Sequence, residues 1–326
     1  MEIEMYYTVH HVTRFRYSTP ITESIMEVRI QPRSEGTQRC FDFRLNTSPR
    51  AQILNYRDDN GNRVHHFDVP NPHNHLTITA EAIVEVLPLP PIPEALSPSA
   101  WRELDEMTAD DEYWDTLNPS HFARPTELLE QLIHELEIRR QDDPLTTVKN
   151  INSAIYTTLE YAKQNTQVDS PLDDALRIRR GVCQDFAHIM IALVRSLRIP
   201  CRYVSGYLFY QSDRHSRPTN GATHAWVEAY MPGLGWVGFD PTNNQIADER
   251  HIRVAIGRDY ADVPPTHGTF RGKAESTLSV NVRVYPTEVP PPSADLSLEG
   301  NWIPSMHEEG YDYEEGGLPQ QQPQQQ

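Results

Sequence analysis

The sequence predicts an α+β protein: an all-β sandwich or barrel, followed by a unit in which helices pack on an antiparallel sheet. Three observations predict this class. Residues 1–88 alternate apolar and other side chains at the strand period, later segments have helical spacing before further strands follow, and a long apolar run covers residues 183–198. That run is too apolar for a one-sided surface helix, so it is predicted to be a central, buried helix.

The first unit is assigned to residues 1–88. Strands are predicted where β-branched and aromatic residues recur, at residues 7–17, 25–31, 40–45 and 76–86. Asp59, Asn60 and Gly61 lie between two apolar segments and predict a tight hairpin turn, since Asn-Gly tolerates positive φ. No convincing catalytic set of residues is found in this unit.

Residues 89–144 are interpreted as an acidic, partly helical linker. The stretch opens with prolines, and residues 94–115 hold eight acidic residues and one arginine. Such a strip is typical of a solvated linker, with docking of a basic partner as the alternative. Residues 125–138 are expected to form a helix, because a proline precedes leucines at helical spacing.

The second unit is assigned to residues 145–286. Helices are predicted at residues 146–162, 172–178 and 183–198, and strands at 201–210, 252–256 and 278–284, with two more strands around His224 and Asp240. Residues 211–221 are predicted to be a polar loop. The tail, 287–326, is rich in proline, acidic residues and glutamine, a composition that predicts disorder.

Composition restricts the class of function. The formal net charge of −17 argues against nucleic acid or an acidic membrane surface as a partner, because both would repel the chain. The first residues lack a basic region followed by an apolar one, and the three cysteines are odd in number and not spaced as metal ligands. A cytoplasmic location, without cofactor or metal, is therefore expected. The oligomeric state stays open.

The histidines of the first unit form no evident metal site. Neighbouring residues on a strand point to opposite faces, so adjacent histidines cannot easily share one ion. Two histidines that flank an asparagine could do so, but a surface loop is the preferred interpretation. These histidines are His10, His11, His65, His66, His73 and His75.

Cys183 is the candidate nucleophile. Gly181 suits a tight entry turn, which places Cys183 in the first turn of the predicted central helix. There the thiol meets unpaired backbone N–H groups and the positive end of the helix dipole, and both favour the thiolate.

His224 and Asp240 supply the base and the group that orients it. Their two alternating segments are separated by a turn around Gly233, which predicts an antiparallel hairpin with Trp226 opposite Asp240. His224 is then the diagonal neighbour of Asp240 on the same face. This holds only if the loop has an odd number of residues or contains a bulge.

Each group has an expected role. Cys183 attacks a carbonyl as thiolate, His224 protonates the leaving amine, and Asp240 orients the imidazole. The backbone N–H of Cys183 is the expected oxyanion donor, and Tyr161 and Gln184 are both candidates for the second donor. Any one of these residues alone would more often be structural; the combination favours catalysis.

Three further residues are interpreted as structural. Cys40 and Cys201 lie in strand patterns without a partner histidine and are assigned to the core. His188 lies inside the predicted central helix and is expected to be a hydrogen-bonded structural residue.

Three segments together resemble the transglutaminase-like superfamily, and its bacterial branch in particular: Gly-Val-Cys-Gln-Asp-Phe-Ala from Gly181, His-Ala-Trp-Val-Glu from His224, and Trp-Val-Gly-Phe-Asp-Pro-Thr from Trp236. The resemblance covers roughly residues 145–285, and the β-rich first 88 residues resemble the N-terminal domain that accompanies this branch. It implies a papain-like core and the roles given above for Cys183, His224 and Asp240. The reaction remains open, because the family includes transamidases, peptidases and deamidating enzymes that share a thioester intermediate.

The leading hypothesis is a thiol enzyme that acts on amide bonds of peptides or proteins, with hydrolysis slightly favoured because water is the default acceptor. Transfer of a glutamine acyl group to an amine is the close alternative. A non-catalytic binding adaptor is a third hypothesis, since a fold does not guarantee its usual chemistry. Acetyl transfer from coenzyme A is disfavoured by the acidic charge.

Overall fold

The computed structural model of the chain describes residues 5–109, 111–162, 170–210, 223–287 and 320–321. The predicted loop at residues 211–221 and nearly all of the predicted disordered tail lie outside these residues. In the described part of the chain, no helix combines the length and the apolarity that a bilayer crossing requires.

Two antiparallel sheets packed face to face form the first unit. Alternation places large apolar side chains such as Phe15, Phe67 and Ile78 between the sheets, where they are at most 1% exposed. The strands from the first part of the chain are β1 (Met5–Ile21), β2 (Glu23–Val28), β3 (Gln38–Ser48), β4 (Leu54–Arg57), β5 (Arg63–Val69) and β6 (His73–Val86). The β4–β5 pair is the predicted hairpin, and Gly61 in its turn has φ +73°.

Between the units lie α1 (Ala100–Met107), a 3₁₀ turn (Asp111–Tyr113), α2 (Trp114–Leu117) and α3 (Glu127–Glu135). The Thr126 hydroxyl caps α3 by accepting from the backbone N–H of Leu129 at 3.2 Å. Leu104 and Leu129 are buried in the main apolar core. Acidity alone favours a solvated linker, but the apolar side chains of this segment pack it against the second unit.

The second unit has three helices, α4 (Pro144–Thr158), α5 (Leu172–Ile178) and α6 (Cys183–Ser196), and two short paired strands, β7 (Glu160–Tyr161) and β8 (Arg180–Gly181). Asp143 caps α4 by accepting from the backbone N–H of Thr146 at 3.0 Å, with proline in the first turn. Residues 183–195 are buried, so the predicted central helix is confirmed.

One antiparallel sheet packs against α6. Its strands are β9 (Cys201–Leu208), β10 (His224–Met231), β11 (Gly235–Asp240), β12 (Gln245–Ile246) and β13 (His251–Gly257), in the order β12-β11-β10-β9-β13. Ala225, Val227 and Ala229 of β10 face the core that contains α6, because alternate residues of a strand share a face. The predicted α+β class, with helices on an antiparallel sheet behind an all-β unit, is confirmed.

The last described strands return to the first unit. β14 (Thr266–Arg271) pairs with β2, and β15 (Ser276–Thr287) pairs with β1 from Tyr6 opposite Thr287 to Tyr17 opposite Ser276. The two-residue β16 (Gln320–Gln321) pairs with β14. The second unit was predicted to end at residue 286. The strands after residue 265 belong to the sandwich instead, so the sheet topology does not match that boundary.

Side chains connect the two units directly. The Gln38 side chain donates to the backbone C=O of Arg253 and accepts from its N–H, both at 2.8 Å. The Asn62 side chain makes the same pair of bonds with Ile256, also at 2.8 Å. The sandwich thereby holds β13, a strand that borders the candidate site.

Candidate active site

Cys183 is the first residue of α6, and its side chain is almost buried, at 8% exposure. Before it, the backbone N–H of Val182 donates to the Asp185 carboxylate at 2.8 Å. A Cβ on Gly181 would lie 2.6 Å from that carboxylate, so glycine is required by this close approach. The entry to α6 thus places the thiol in the first helical turn, at the positive end of the helix dipole.

The β10–β11 hairpin brings His224 and Asp240 together. Val227 lies opposite Phe239 and Met231 opposite Gly235, which leaves a three-residue loop. This is the predicted odd-length turn, and the expected register is confirmed. His224 Nε2 lies 2.8 Å from Asp240 Oδ2, and both side chains are fully buried.

Asp240 is held as a buried anion by several donors. Its Oδ1 accepts from the backbone N–H groups of Thr242 at 3.0 Å and Asn243 at 3.2 Å. Its Oδ2 accepts from the Asn243 amide at 2.7 Å in addition to His224. Burial by itself would raise the pKa of Asp240, but His224 and His251 outweigh it and lower that pKa well below the usual range.

The same pair favours the imidazolium form of His224. Burial works against the charge, but the carboxylate of Asp240 and then the thiol of Cys183 outweigh it, and the pKa of His224 is raised. Because Nε2 is engaged by Asp240, Nδ1 is the ring atom that can meet the sulfur. Within the described residues Nδ1 has no hydrogen-bond partner of normal length and angle, while the Cys183 thiol is close enough to raise the pKa of the ring.

His251 also contacts Asp240, and sequence reasoning missed it. Its Nε2 lies 3.3 Å from Asp240 Oδ2, while its Nδ1 lies 3.1 Å from Asp248 Oδ1. The strand predicted from the sequence spans residues 252–256 and therefore leaves His251 just outside it. Only the folded chain, in which β13 pairs with β9, shows that His251 reaches the His224–Asp240 pair.

His224, Asp240 and His251 place one possible metal-ligand atom each within 4.8 Å of one another. Those atoms are already used in hydrogen bonds: both histidines approach the carboxylate at 2.8 and 3.3 Å. The pKa values of both histidines are raised against the effect of burial, which favours protonated rings over metal ligands. The arrangement fits a hydrogen-bonded chain better than a metal centre.

Both candidates for the second oxyanion donor lie near the start of α6. Tyr161 pairs in parallel with Gly181, two residues before Cys183. Gln184 follows Cys183 in the helix and is 5% exposed. The structure brings both to the same end of the helix, and the choice between them stays a prediction.

The remaining candidates are structural. Cys201 is fully buried, and Cys40 is partly buried in the sandwich. His188 accepts a hydrogen bond from the backbone N–H of Tyr260 at 3.2 Å and stacks on Phe122. The structural interpretation of His188 is therefore confirmed.

The two histidines of the first unit that could have shared a metal ion, His73 and His75, have separate local contacts. His73 lies 3.2 Å from the Ser24 hydroxyl and 2.7 Å from the backbone C=O of Asn71, and it is buried in the sandwich. His75 is exposed next to Asn74. The two therefore face different surroundings instead of one shared site.

Comparison with known proteins identifies two regions of the chain. Residues 133–241 match the sequence profile of the transglutaminase-like superfamily, and residues 7–85 match that of the bacterial transglutaminase-like N-terminal region. An uncharacterised protein of Mycobacterium leprae is 35% identical over 277 residues, which cover 85% of this chain and 97% of that protein. A protein-glutamine gamma-glutamyltransferase of Pseudomonas aeruginosa is 32% identical over 125 residues, 33% of this chain and 17% of that enzyme.

A solved structure shares the fold over most of the chain. The chain superimposes with a TM-score of 0.68 on a candidate cysteine protease of Cytophaga hutchinsonii, covering 89% of this chain and 94% of that one. The two sequences are 23% identical, so the likeness concerns the fold.

Proposed function

The chain belongs to the transglutaminase-like superfamily, and from this we propose that it is a Cys-His-Asp thiol enzyme that acts on amide bonds of peptides or proteins. The observation that carries the proposal is the buried His224–Asp240 pair: Asp240 engages Nε2 of His224, and the Cys183 thiol helps to raise the pKa of the same ring. A buried carboxylate that holds an imidazolium beside a thiol is the arrangement that nucleophilic catalysis requires.

The proposed reaction has two steps. Cys183 Sγ attacks the amide carbon, and the C–N bond breaks as His224 gives its Nδ1 proton to the leaving amine. The product is a thioester of Cys183, and the oxyanion formed on the way is stabilised by the N–H of Cys183. In the second step water attacks the thioester, His224 accepts a proton from it, and the carboxylic acid leaves as Cys183 is regenerated.

Transfer of the acyl group to an amine is the second candidate. It is supported by the 125 residues that align with the Pseudomonas aeruginosa relative, which is a protein-glutamine gamma-glutamyltransferase. Both reactions pass through the same thioester, so the first step of the mechanism does not distinguish them. Hydrolysis is preferred here because water is always present as an acceptor.

One assay separates the two reactions. A glutamine-containing protein is incubated with the enzyme and a labelled primary amine, and the products are analysed by mass spectrometry. Hydrolysis predicts new termini or free acid without label, whereas transfer predicts incorporation of the amine. The Cys183→Ala variant should abolish either product, and a product that persists in this variant would contradict both candidates.

A non-catalytic adaptor would retain the fold without an activated thiol. Alkylation of Cys183 near pH 7 tests this directly: the enzyme hypothesis expects faster reaction than for an ordinary exposed thiol. Reaction at the ordinary rate would favour the adaptor.

Partners and location are also part of the proposal. A peptide or protein substrate is proposed, with neither nucleic acid nor membrane as partner, in view of the net charge of −17. A cytoplasmic location is supported by three cysteines without a disulfide. Cell fractionation with antibody detection tests it, and recovery in a periplasmic or secreted fraction would contradict it.

A further inference from the structure

We propose that His251 is a positioning residue that acts on Cys183 through Asp240 and His224, so that the site is a chain of four groups instead of three. The inference rests on the proposed function and extends it by one residue. It is carried by the contacts of His251, by its burial and by the position of its neighbours.

The His251 ring bridges two carboxylates. Nε2 faces Asp240 Oδ2 at 3.3 Å, and Nδ1 faces Asp248 Oδ1 at 3.1 Å. The backbone N–H of Asp248 also lies 3.1 Å from Nδ1. In the neutral ring, Nδ1 accepts from that N–H; in the charged ring, it donates to Asp248. In both forms Nε2 carries the proton and donates it to Asp240.

Asp248 is itself fixed. The Arg250 guanidinium donates to it through Nε at 2.9 and 3.1 Å, and Arg250 also donates to the Gln245 side chain at 2.9 Å. His251 is therefore held from its outer side by an anion that cannot rotate freely. Such outer partners fix both the tautomer and the orientation of a functional histidine.

His224 and His251 share one oxygen of Asp240. Oδ2 receives Nε2 of His224 at 2.8 Å and Nε2 of His251 at 3.3 Å. A proton that one histidine donates to Oδ2 reduces the negative charge that Oδ2 offers to the other histidine. Solvent screens this effect little, because all three side chains are at most 1% exposed. His251 thus limits how strongly Asp240 binds the proton of His224.

Trp226 keeps the two imidazoles in place. Its ring lies 5.2 Å from that of His251, edge to face, and 6.1 Å from that of His224, nearly parallel. Gly206 on β9 gives the indole its room, since a Cβ there would lie 2.5 Å from the ring. Rotation of either histidine is therefore blocked by packing as well as by hydrogen bonds.

Other charged groups near His251 are paired with each other. A cavity of about 50 Å³ borders His251, and Glu228 and Arg253 line it as well. The Glu228 carboxylate binds Arg202 at 2.7 Å and Arg253 at 3.5 Å. Among the described residues, the carboxylates of Asp240 and Asp248 are thus the ionisable groups within hydrogen-bond distance of His251, and the His224 ring lies 6.2 Å from its ring. The effect of removing His251 is expected to act through these groups.

The test is the pH dependence of Cys183 alkylation by iodoacetamide, measured by mass spectrometry in wild type and in His251→Gln. The wild-type profile is expected to show two inflections, one for formation of the thiolate–imidazolium pair and an upper one for loss of the His224 proton. In His251→Gln the rate at pH 6 should fall about tenfold, because Asp240 and His224 lose a contact that fixes their orientation toward Cys183; loss of the outer partner of a metal-bound histidine has an effect of this size. The upper inflection should move to higher pH by roughly 1 unit, because Asp240 then acts on His224 alone.

A purely structural role predicts the opposite shift. If His251 only filled space, its replacement would loosen the site and admit water, and the upper inflection would move down toward the ordinary range of histidine. Asp248→Asn is the second variant: it retains the Nε2 donor, so a smaller shift in the upward direction is expected. His65→Gln, at a buried histidine of the sandwich, is the matched control and should leave the profile unchanged.

The outcomes separate this inference from the proposed function. A wild-type Cys183 that titrates as an ordinary thiol with one inflection would overturn both. A wild-type profile with two inflections that His251→Gln leaves unchanged, or shifts downward, would overturn only the role of His251.

Discussion

At the residue scale, the site depends on how a carboxylate stays charged without solvent. Asp240 is fully buried and accepts from two backbone N–H groups, one amide and two histidines. These hydrogen bonds offset the free-energy cost of removing the charged carboxylate from water. An isolated buried carboxylate would have no such compensation. The chemistry of Cys183 is therefore expected to depend strongly on a group that does not touch it.

Selective alkylation follows from the three thiol environments. Burial, together with the Asp42 carboxylate, raises the pKa of Cys40 to about 12, and burial raises that of Cys201 to about 11. At pH 6 to 7 iodoacetamide should therefore modify Cys183, the proposed nucleophile, and leave the other two unmodified. Peptide mapping after a timed reaction measures this. Equal labelling of Cys201 in folded protein would contradict it, and urea-unfolded protein, in which all three react, is the control.

Replacement of Asp240 by asparagine should change how stability depends on pH. The lowered pKa of Asp240 gives a contribution that is present above pH 3.8, its ordinary value, and is lost as pH falls through the folded value. The raised pKa of His224 gives a contribution that is complete below pH 6.5 and is lost as pH rises through the folded value. The loss of unfolding free energy in Asp240→Asn should thus be largest between pH 3.8 and 6.5.

Urea denaturation at a series of pH values measures this difference. Asp68→Asn, at an exposed position of the sandwich, is the control. An equal loss of stability at every pH in Asp240→Asn would show that the charge pair contributes nothing and would refute the prediction.

At the scale of elements, local patterns predict best where neighbours in sequence also pair in space. The β10–β11 register could be derived because a three-residue loop determines which residues face each other. The α6 helix could be predicted because its apolar run has no exposed side. The pairing of β15 with β1 joins residues more than 250 positions apart, and no local signal marks it. His251 was missed because its contact with Asp240 on β11 depends on how the strands of the second sheet are arranged.

The entry of α6 is expected to be sensitive to one methyl group. In Gly181→Ala the new Cβ would lie 2.6 Å from the Asp185 carboxylate and displace it from the N–H of Val182. We expect a loss of about 1–3 kcal/mol of unfolding free energy, the cost of a lost cap or local overpacking. Alkylation of Cys183 should slow as well, because the thiol lies one residue after the displaced bond.

A double-mutant cycle with Asp185→Ala locates the cause. The new Cβ would also lie 2.7 Å from Cβ of Asp185, which alanine at position 185 retains. If the methyl group acts mainly by displacing the carboxylate, Gly181→Ala should cost less in the Asp185→Ala background than in wild type. Additive losses of unfolding free energy would show that the carboxylate is not the cause.

At the scale of the whole molecule, the sandwich and the second unit are expected to unfold together. Asn62, in the sandwich and fully buried, supplies both hydrogen bonds to the backbone of Ile256 on β13, the strand that begins with His251. Asn62→Ala would leave one buried N–H and one buried C=O without partners. The expected loss is about 2–6 kcal/mol of unfolding free energy, since each of the two unsatisfied groups costs roughly 1–3 kcal/mol.

Two probes distinguish a coupled molecule from two independent units. The four tryptophans of the described residues lie outside the sandwich, at positions 101, 114, 226 and 236, so their fluorescence reports on the segments after it. Far-UV circular dichroism reports on the whole chain. In wild type the urea transitions seen by both probes should coincide, and Asn62→Ala should shift both by the same amount.

Asn55→Ala, on the exposed edge strand β4, is the matched control and should shift neither transition. A fluorescence transition that stays in place while the circular dichroism transition moves would mean that the sandwich unfolds alone, and that β13 and His251 keep their positions without it.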